Sequence, residues 1–151
     1  MKQVSIVYSD TDKNKRIADE IAGSFSVEEY VVTKTMIESV SDMEGFLVET
    51  NPENCQIVIN LNMTGYAVET TGGFASFNRL PMNLINYITE PIEMFDEALK
   101  KNQSYMLWFV FQSLDDKEKA EKLYPHLWHI ECALDEKALA ELICTMDLRY
   151  E

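Results

Sequence analysis

Five short apolar runs of strand length recur along the chain, each separated from the next by a polar or helically patterned segment. They are residues 4–8 (VSIVY), 29–33 (EYVVT), Ile57–Leu61 (IVINL), Asn83–Ile88 (NLINYI) and 105–111 (YMLWFVF). The run at Ile57–Leu61 is uninterrupted by charge, as expected of a strand covered on both faces. Ile17, Ile21 and Phe25, backed by Ala18 and Ala22, recur at near-helical spacing after the first run. Met36, Val40, Met43 and Leu47 step by four, three and four, which predicts a second helix ending before Asn51 and Pro52. A third helix is expected over 91–102, with Pro91 near its first turn and Ile92, Phe95 and Leu99 inward. A fourth spans 115–124 and stops at Pro125. Residues 127–131 form a possible sixth, edge strand, and Asp135 can cap a last helix with Leu139, Leu142, Ile143 and Met146 on its apolar face.

Strands alternating with helices specify a parallel sheet with helices on both faces. Right-handed crossovers restrict the topology to doubly wound orders. The expected fold is therefore α/β: a three-layer, doubly wound, mostly parallel sheet of five or six strands, of the flavodoxin-like or Rossmann-like type. At 151 residues with 46% hydrophobic content, the chain suits one Rossmann-like domain spanning residues 1–151.

Composition excludes several functions. No apolar run approaches the roughly 18 residues of a membrane span, and the opening MKQVSIVYSD goes straight into a strand pattern, so a cytoplasmic location is expected. Thirteen Lys and Arg against 26 Asp and Glu leave a formal charge of −13 with no compact basic cluster. Nucleic acid and anionic membrane are therefore unfavourable partners. Cys55, Cys132 and Cys144 cannot all pair and none lies in a CxxC, so buried free thiols are expected. His126 and His129, in HLWH, have no nearby third ligand, and no metal is expected there. No P-loop, GxGxxG or GxSxG follows a strand, and no catalytic residues are assigned.

In doubly wound sheets, ligands bind outside the carboxyl ends of the strands. That rule selects the loops at 9–14, 33–35, 60–78, 89–91 and 112–115. The third is the longest, and long loops at this edge often carry function. Asn60 and Asn62 stand at the exit of an apolar strand, and residues two apart in an extended strand share a face. Buried amides must be hydrogen-bonded, so the pair either ties down the loop or presents donors and acceptors to a ligand. Gly72 and Gly73 precede an expected short helix at 74–79, whose start could hold an anion, with Arg79 adding charge; a plain turn is the alternative. The candidate ligand-binding set is Tyr8, Ser9, Asn60, Asn62, Tyr66, Gly73, Asn78 and Glu90.

The first loop, YSDTDKNKRIADEIA, resembles the phosphate loop of flavodoxins over about 15 residues, with Ser9 and Thr11 matching in type. Asp10 and Asp12 put negative charge where a phosphate would sit, and Asp12 takes the glycine position. No cofactor is expected, and an FMN-binding electron carrier is an alternative. Phospho-receiver chemistry needs an Asp ending the third strand and a Lys ending the fifth; here Asn60-Leu61-Asn62 and Phe111-Gln112-Ser113 stand there instead.

A further likeness covers roughly 35 residues: Asn60-Leu61-Asn62, Thr64-Gly65-Tyr66, a helix, Leu80-Pro81, and a strand closed by Thr89-Glu90-Pro91. This pattern is similar to the amino-terminal half of CgeB-like GT-B glycosyltransferases. The resemblance implies a Rossmann-like domain that helps to hold an acceptor, while a second domain holds the nucleotide-sugar donor. A chain resembling only the first half is not expected to transfer sugar unaided. Its expected role is ligand or partner binding through the carboxyl edge. A structural domain that buries an apolar patch near Trp128 or the last helix in a homo-oligomer is a further alternative.

Overall fold

In the computed structural model, which describes residues 2–64, 82–101 and 107–146, six strands form one parallel sheet. They are β1 (Lys2–Tyr8), β2 (Tyr30–Met36), β3 (Ile57–Leu61), β4 (Asn83–Ile88), β5 (Leu107–Phe111) and β6 (His129–Cys132). Their order is β2-β1-β3-β4-β5-β6, the flavodoxin-like arrangement with one strand added at the edge. Every residue of β3 and β4 is buried, which is why neither run contains a charge.

The helices are α1 (Asp12–Ser24), α2 (Val40–Glu49), a 3-10 turn (Ile92–Phe95) running into α3 (Asp96–Lys101), α4 (Leu114–Leu123) and α5 (Glu136–Thr145). Four of them start at a capping side chain: Thr11, Ser39, Ser113 and Asp135 accept from the N–H groups of Asn14, Asp42, Asp116 and Ala138. Helices α1 and α5 cover one face, where Ile17, Ile21, Leu139 and Ile143 pack with Ile6, Ile59 and Tyr87. The other four elements cover the opposite face, where Met43, Phe46, Ile92, Leu99 and Tyr124 pack with Val7, Val58 and Phe109. The chain thus forms the three expected layers.

Several boundaries differ from the sequence reading. The expected loop at 33–35 is strand, because β1 and β2 stay paired as far as Tyr8 and Met36. The Ile37 N–H then donates to the Tyr8 carbonyl at 2.9 Å. Met36 therefore belongs to β2, and the inner stripe of α2 is Met43 and Phe46 with Leu47 partly buried; Val40 is exposed. The segment after Pro91 opens as a 3-10 turn with no side-chain cap from Pro91; Asp116 Oδ2 accepts from the Ile92 N–H instead, at 3.3 Å. The sixth strand begins at His129, because Leu127 is spent in a turn, its N–H donating to the Tyr124 carbonyl at 3.0 Å. Residues 105–106 of the expected fifth strand, Asn102, and the expected helix at 74–79 lie outside the described residues.

Candidate functional site at the carboxyl edge

The chain leaves β1 toward one side of the sheet through α1 and later crosses to the other side through α2 to reach β3. The direction of winding therefore reverses between β1 and β3. Doubly wound folds bind ligands at that point, outside the carboxyl ends of the strands.

The backbone after β3 is unusual. Asn62 and Met63 have φ of 49° and 58°, two consecutive non-glycine residues in the left-handed region, which costs roughly 1–2 kcal/mol per residue. Asn tolerates that region, whereas a bulky Met there is uncommon. Packing and hydrogen bonds hold both. Met63 is buried in the core, and Thr64 Oγ1 donates to the Leu61 carbonyl at 2.7 Å.

The Asn62 amide is fully engaged. Its Nδ2 donates to Asn14 Oδ1 at 3.2 Å and to Thr89 Oγ1 at 2.9 Å. Its Oδ1 accepts the N–H of Thr89 at 2.7 Å and of Glu90 at 3.3 Å. A carboxamide has two donors and two lone pairs, so no capacity remains. Asn14 Nδ2 in turn donates to Ser9 Oγ at 2.6 Å, and Lys13 Nζ bridges to Glu90 Oε1 at 2.8 Å. The exits of β1, β3 and β4 are thus joined by one polar network. Lys13 and Glu90 are its solvent-accessible charged pair, with side chains 50% and 29% exposed.

Of the residues singled out from sequence, Ser9, Asn62 and Glu90 come together here. Asn60 does not join them. Its backbone is still extended, and its side chain, 0% exposed, pairs with Asn86 Oδ1 at 3.0 Å, while Asn86 Nδ2 reaches the Trp108 carbonyl at 3.4 Å. The shared-face expectation assumed extended backbone through residue 62; the left-handed turn sends Asn62 over the sheet end toward α1 instead. Tyr8 does not join them either; it is partly buried against the cluster beneath α1 and α5. Tyr66, Gly73 and Asn78, with Gly72 and Arg79, lie outside the described residues.

Three members of the network, Lys13, Asn14 and Thr89, fall in the loops selected from sequence but outside the candidate ligand-binding set. The available signal was the spacing Thr11-x-x-Asn14, a helix cap followed three residues later by a side chain able to turn back. Here it turns to Ser9.

Across the same edge, toward α5, Gln112 Nε2 donates to the Tyr87 hydroxyl at 3.3 Å, and burial holds that phenol well above its usual range. Glu136, only 8% exposed, has its carboxyl pKa raised chiefly by burial.

Elsewhere the chemistry-bearing residues have structural partners. His126 Nε2 contacts the Leu99 carbonyl at 2.9 Å, whereas His129 stacks on Trp108 with centroids 4.0 Å apart, so the two imidazoles serve different layers. Among the described residues no group of three or more His, Cys, Asp or Glu is arranged to hold a metal ion. All three cysteines are free, but only Cys55 is buried; Cys132 is half-buried and Cys144 exposed, its Sγ on the flank of α5 accepting from the Tyr30 hydroxyl at 3.3 Å. No described helix is long and apolar enough to cross a membrane. Comparison of the chain with protein-family models, with curated proteins and with solved structures returns no match.

Proposed function

We propose that this chain is a Rossmann-like binding domain that holds a small polar ligand, or the polar group of a partner, at the crevice between the exits of β1 and β3, and does not catalyse a reaction by itself. The observation that carries this reading is the pair of left-handed residues, Asn62 and Met63, at the winding reversal. Backbone strain of this kind is retained where the surroundings over-determine it, and it clusters at binding and active sites. The four-way engagement of Asn62 makes the floor of the crevice rigid before any ligand arrives, which lowers the ordering cost of binding. Ligand recognition then falls to the accessible Lys13 and Glu90 and to the Ser9 hydroxyl. The likeness to a glycosyltransferase amino-terminal half favours a hydroxyl-rich, acceptor-like ligand.

The flavin alternative draws less support from this edge. Thr11 Oγ1 is occupied in capping Asn14 N–H at 3.1 Å, and Asp12 begins α1, which opposes an anion at that helix start.

Native mass spectrometry tests the reading. The protein should retain a small-molecule adduct, or acquire one from a panel of monosaccharides and sugar alcohols. Lys13→Ala combined with Glu90→Gln should abolish the adduct while moving Tm by no more than about 3 °C, since exposed ion pairs contribute little. An adduct unchanged in that double variant, or no adduct under either condition, would overturn the proposal.

A further inference from the structure

On the opposite face from α1, a cleft of about 540 Å³ lies between the flank of α2 and the floor formed by β1 and β2. That volume falls within the range of small-molecule sites. Its floor carries hydroxyls where a helix packed on a sheet would ordinarily meet aliphatic side chains. Ser5 Oγ and Thr33 Oγ1 are 3.1 Å apart across the β1–β2 register, and Thr35 continues the row. The Cys55 thiol, whose shortest contact is the Ile57 carbonyl at 3.2 Å, lies 3.5 Å from Ser5 Oγ. Two features keep the cleft open. Helix α2 is anchored mainly through Met43 and Phe46, both packed with Val7 and Val58 of β1 and β3. Gly45 on its flank has nothing within 4 Å of where a Cβ would stand.

The charges on the walls have one sign. Asp42 and Glu49 line the cleft, and no Lys, Arg or His does. Asp42 Oδ2 also accepts from the Glu38 N–H at 3.0 Å, which fixes that carboxylate in place. We infer that the cleft between α2 and β2 is a second binding site, separate from the carboxyl-edge crevice, and that it takes a small organic cation. Asp42 and Glu49 stand seven residues apart on α2, about two turns, so the two cationic ends of a diamine or guanidino-amine would each meet one carboxylate, and its chain would cross the row of hydroxyls. The overall charge of −13 would draw such a ligand toward the surface.

Isothermal titration with agmatine and with cadaverine tests the site, with 1-pentanol and glutarate as neutral and anionic controls of similar length. Saturable binding of at least one cation is expected, with no binding of either control. Glu49→Gln should weaken it about fivefold, the loss of a modest ion pair. Gly45→Leu should abolish it, because the new side chain stands on the cleft wall; the open space at its Cβ and the better helix propensity of Leu keep the variant folded, which circular dichroism checks. Lys13→Ala should leave it unchanged, which separates this site from the carboxyl-edge crevice. Absence of saturable cation binding, or binding that survives both Glu49→Gln and Gly45→Leu, would overturn the inference.

Discussion

Asn62 has two separable roles, and two substitutions divide them. Asn62→Ala removes four hydrogen bonds and also forces a Cβ-bearing residue without a polar side chain into the left-handed region. We expect a loss of about 2–3 kcal/mol in urea unfolding. Asn62→Gly loses the same bonds but adopts φ of 49° freely, and should cost about 1 kcal/mol less than the alanine variant. Equal losses would mean that the backbone there is unstrained. Glu136 offers a titration test. Burial raises its folded pKa, so the folded state holds a proton more tightly than the unfolded chain does. Stability from this group therefore falls as pH rises from the ordinary glutamate range through the raised folded value, and remains lower above it. Glu136→Gln does not ionise. It should be more stable than the parent at pH 7, and the difference should vanish below about pH 4, as read by thermal unfolding at both pH values.

At the scale of elements, Tyr124 ties the end of α4 to the start of α3. Its hydroxyl donates to Asp96 Oδ1, and the ring is buried in the core. Lys100 and then Tyr124 hold the Asp96 carboxyl below its usual range. Tyr124→Phe keeps the packing and removes a hydrogen bond to a half-exposed carboxylate, so the urea midpoint should fall with the slope of the transition unchanged. The runs that became β3 and β4 were legible because burial on both faces leaves no room for charge, and caps at Thr11, Ser39, Ser113 and Asp135 marked helix starts through local chemistry. Met36 misled because a strand residue can fall in helical register with the helix that follows it; the β1 partnership that extends β2 is a long-range fact. The site was legible only in part for the same reason. Position along the strands selected Ser9, Asn62 and Glu90, but the turn that separates Asn62 from Asn60 and joins it to Asn14 depends on two dihedral angles that no residue pattern specifies, and Asn86 became a partner of Asn60 only through the register of β3 and β4.

For the whole molecule, charge and winding set the expectations. The ion pairs, such as Lys13 with Glu90 and Lys101 with Glu97, are largely exposed and individually weak, while a formal charge of −13 repels itself across the surface. Raising sodium chloride from about 20 mM to about 500 mM shortens the screening length several-fold and should raise Tm; a fall would mean that the exposed pairs outweigh the net repulsion. The sheet order β2-β1-β3-β4-β5-β6 sets the winding reversal beside Asn62, and the central claim is that binding occurs there. Chemical-shift mapping by ¹⁵N NMR, with the monosaccharide or sugar alcohol retained in native mass spectrometry, tests it most directly. The account predicts that the backbone amides that move at saturation cluster at Ser9, Lys13, Asn14, Asn62, Thr89 and Glu90. Shifts confined to α4 and β6, or spread evenly over the sheet, would contradict it.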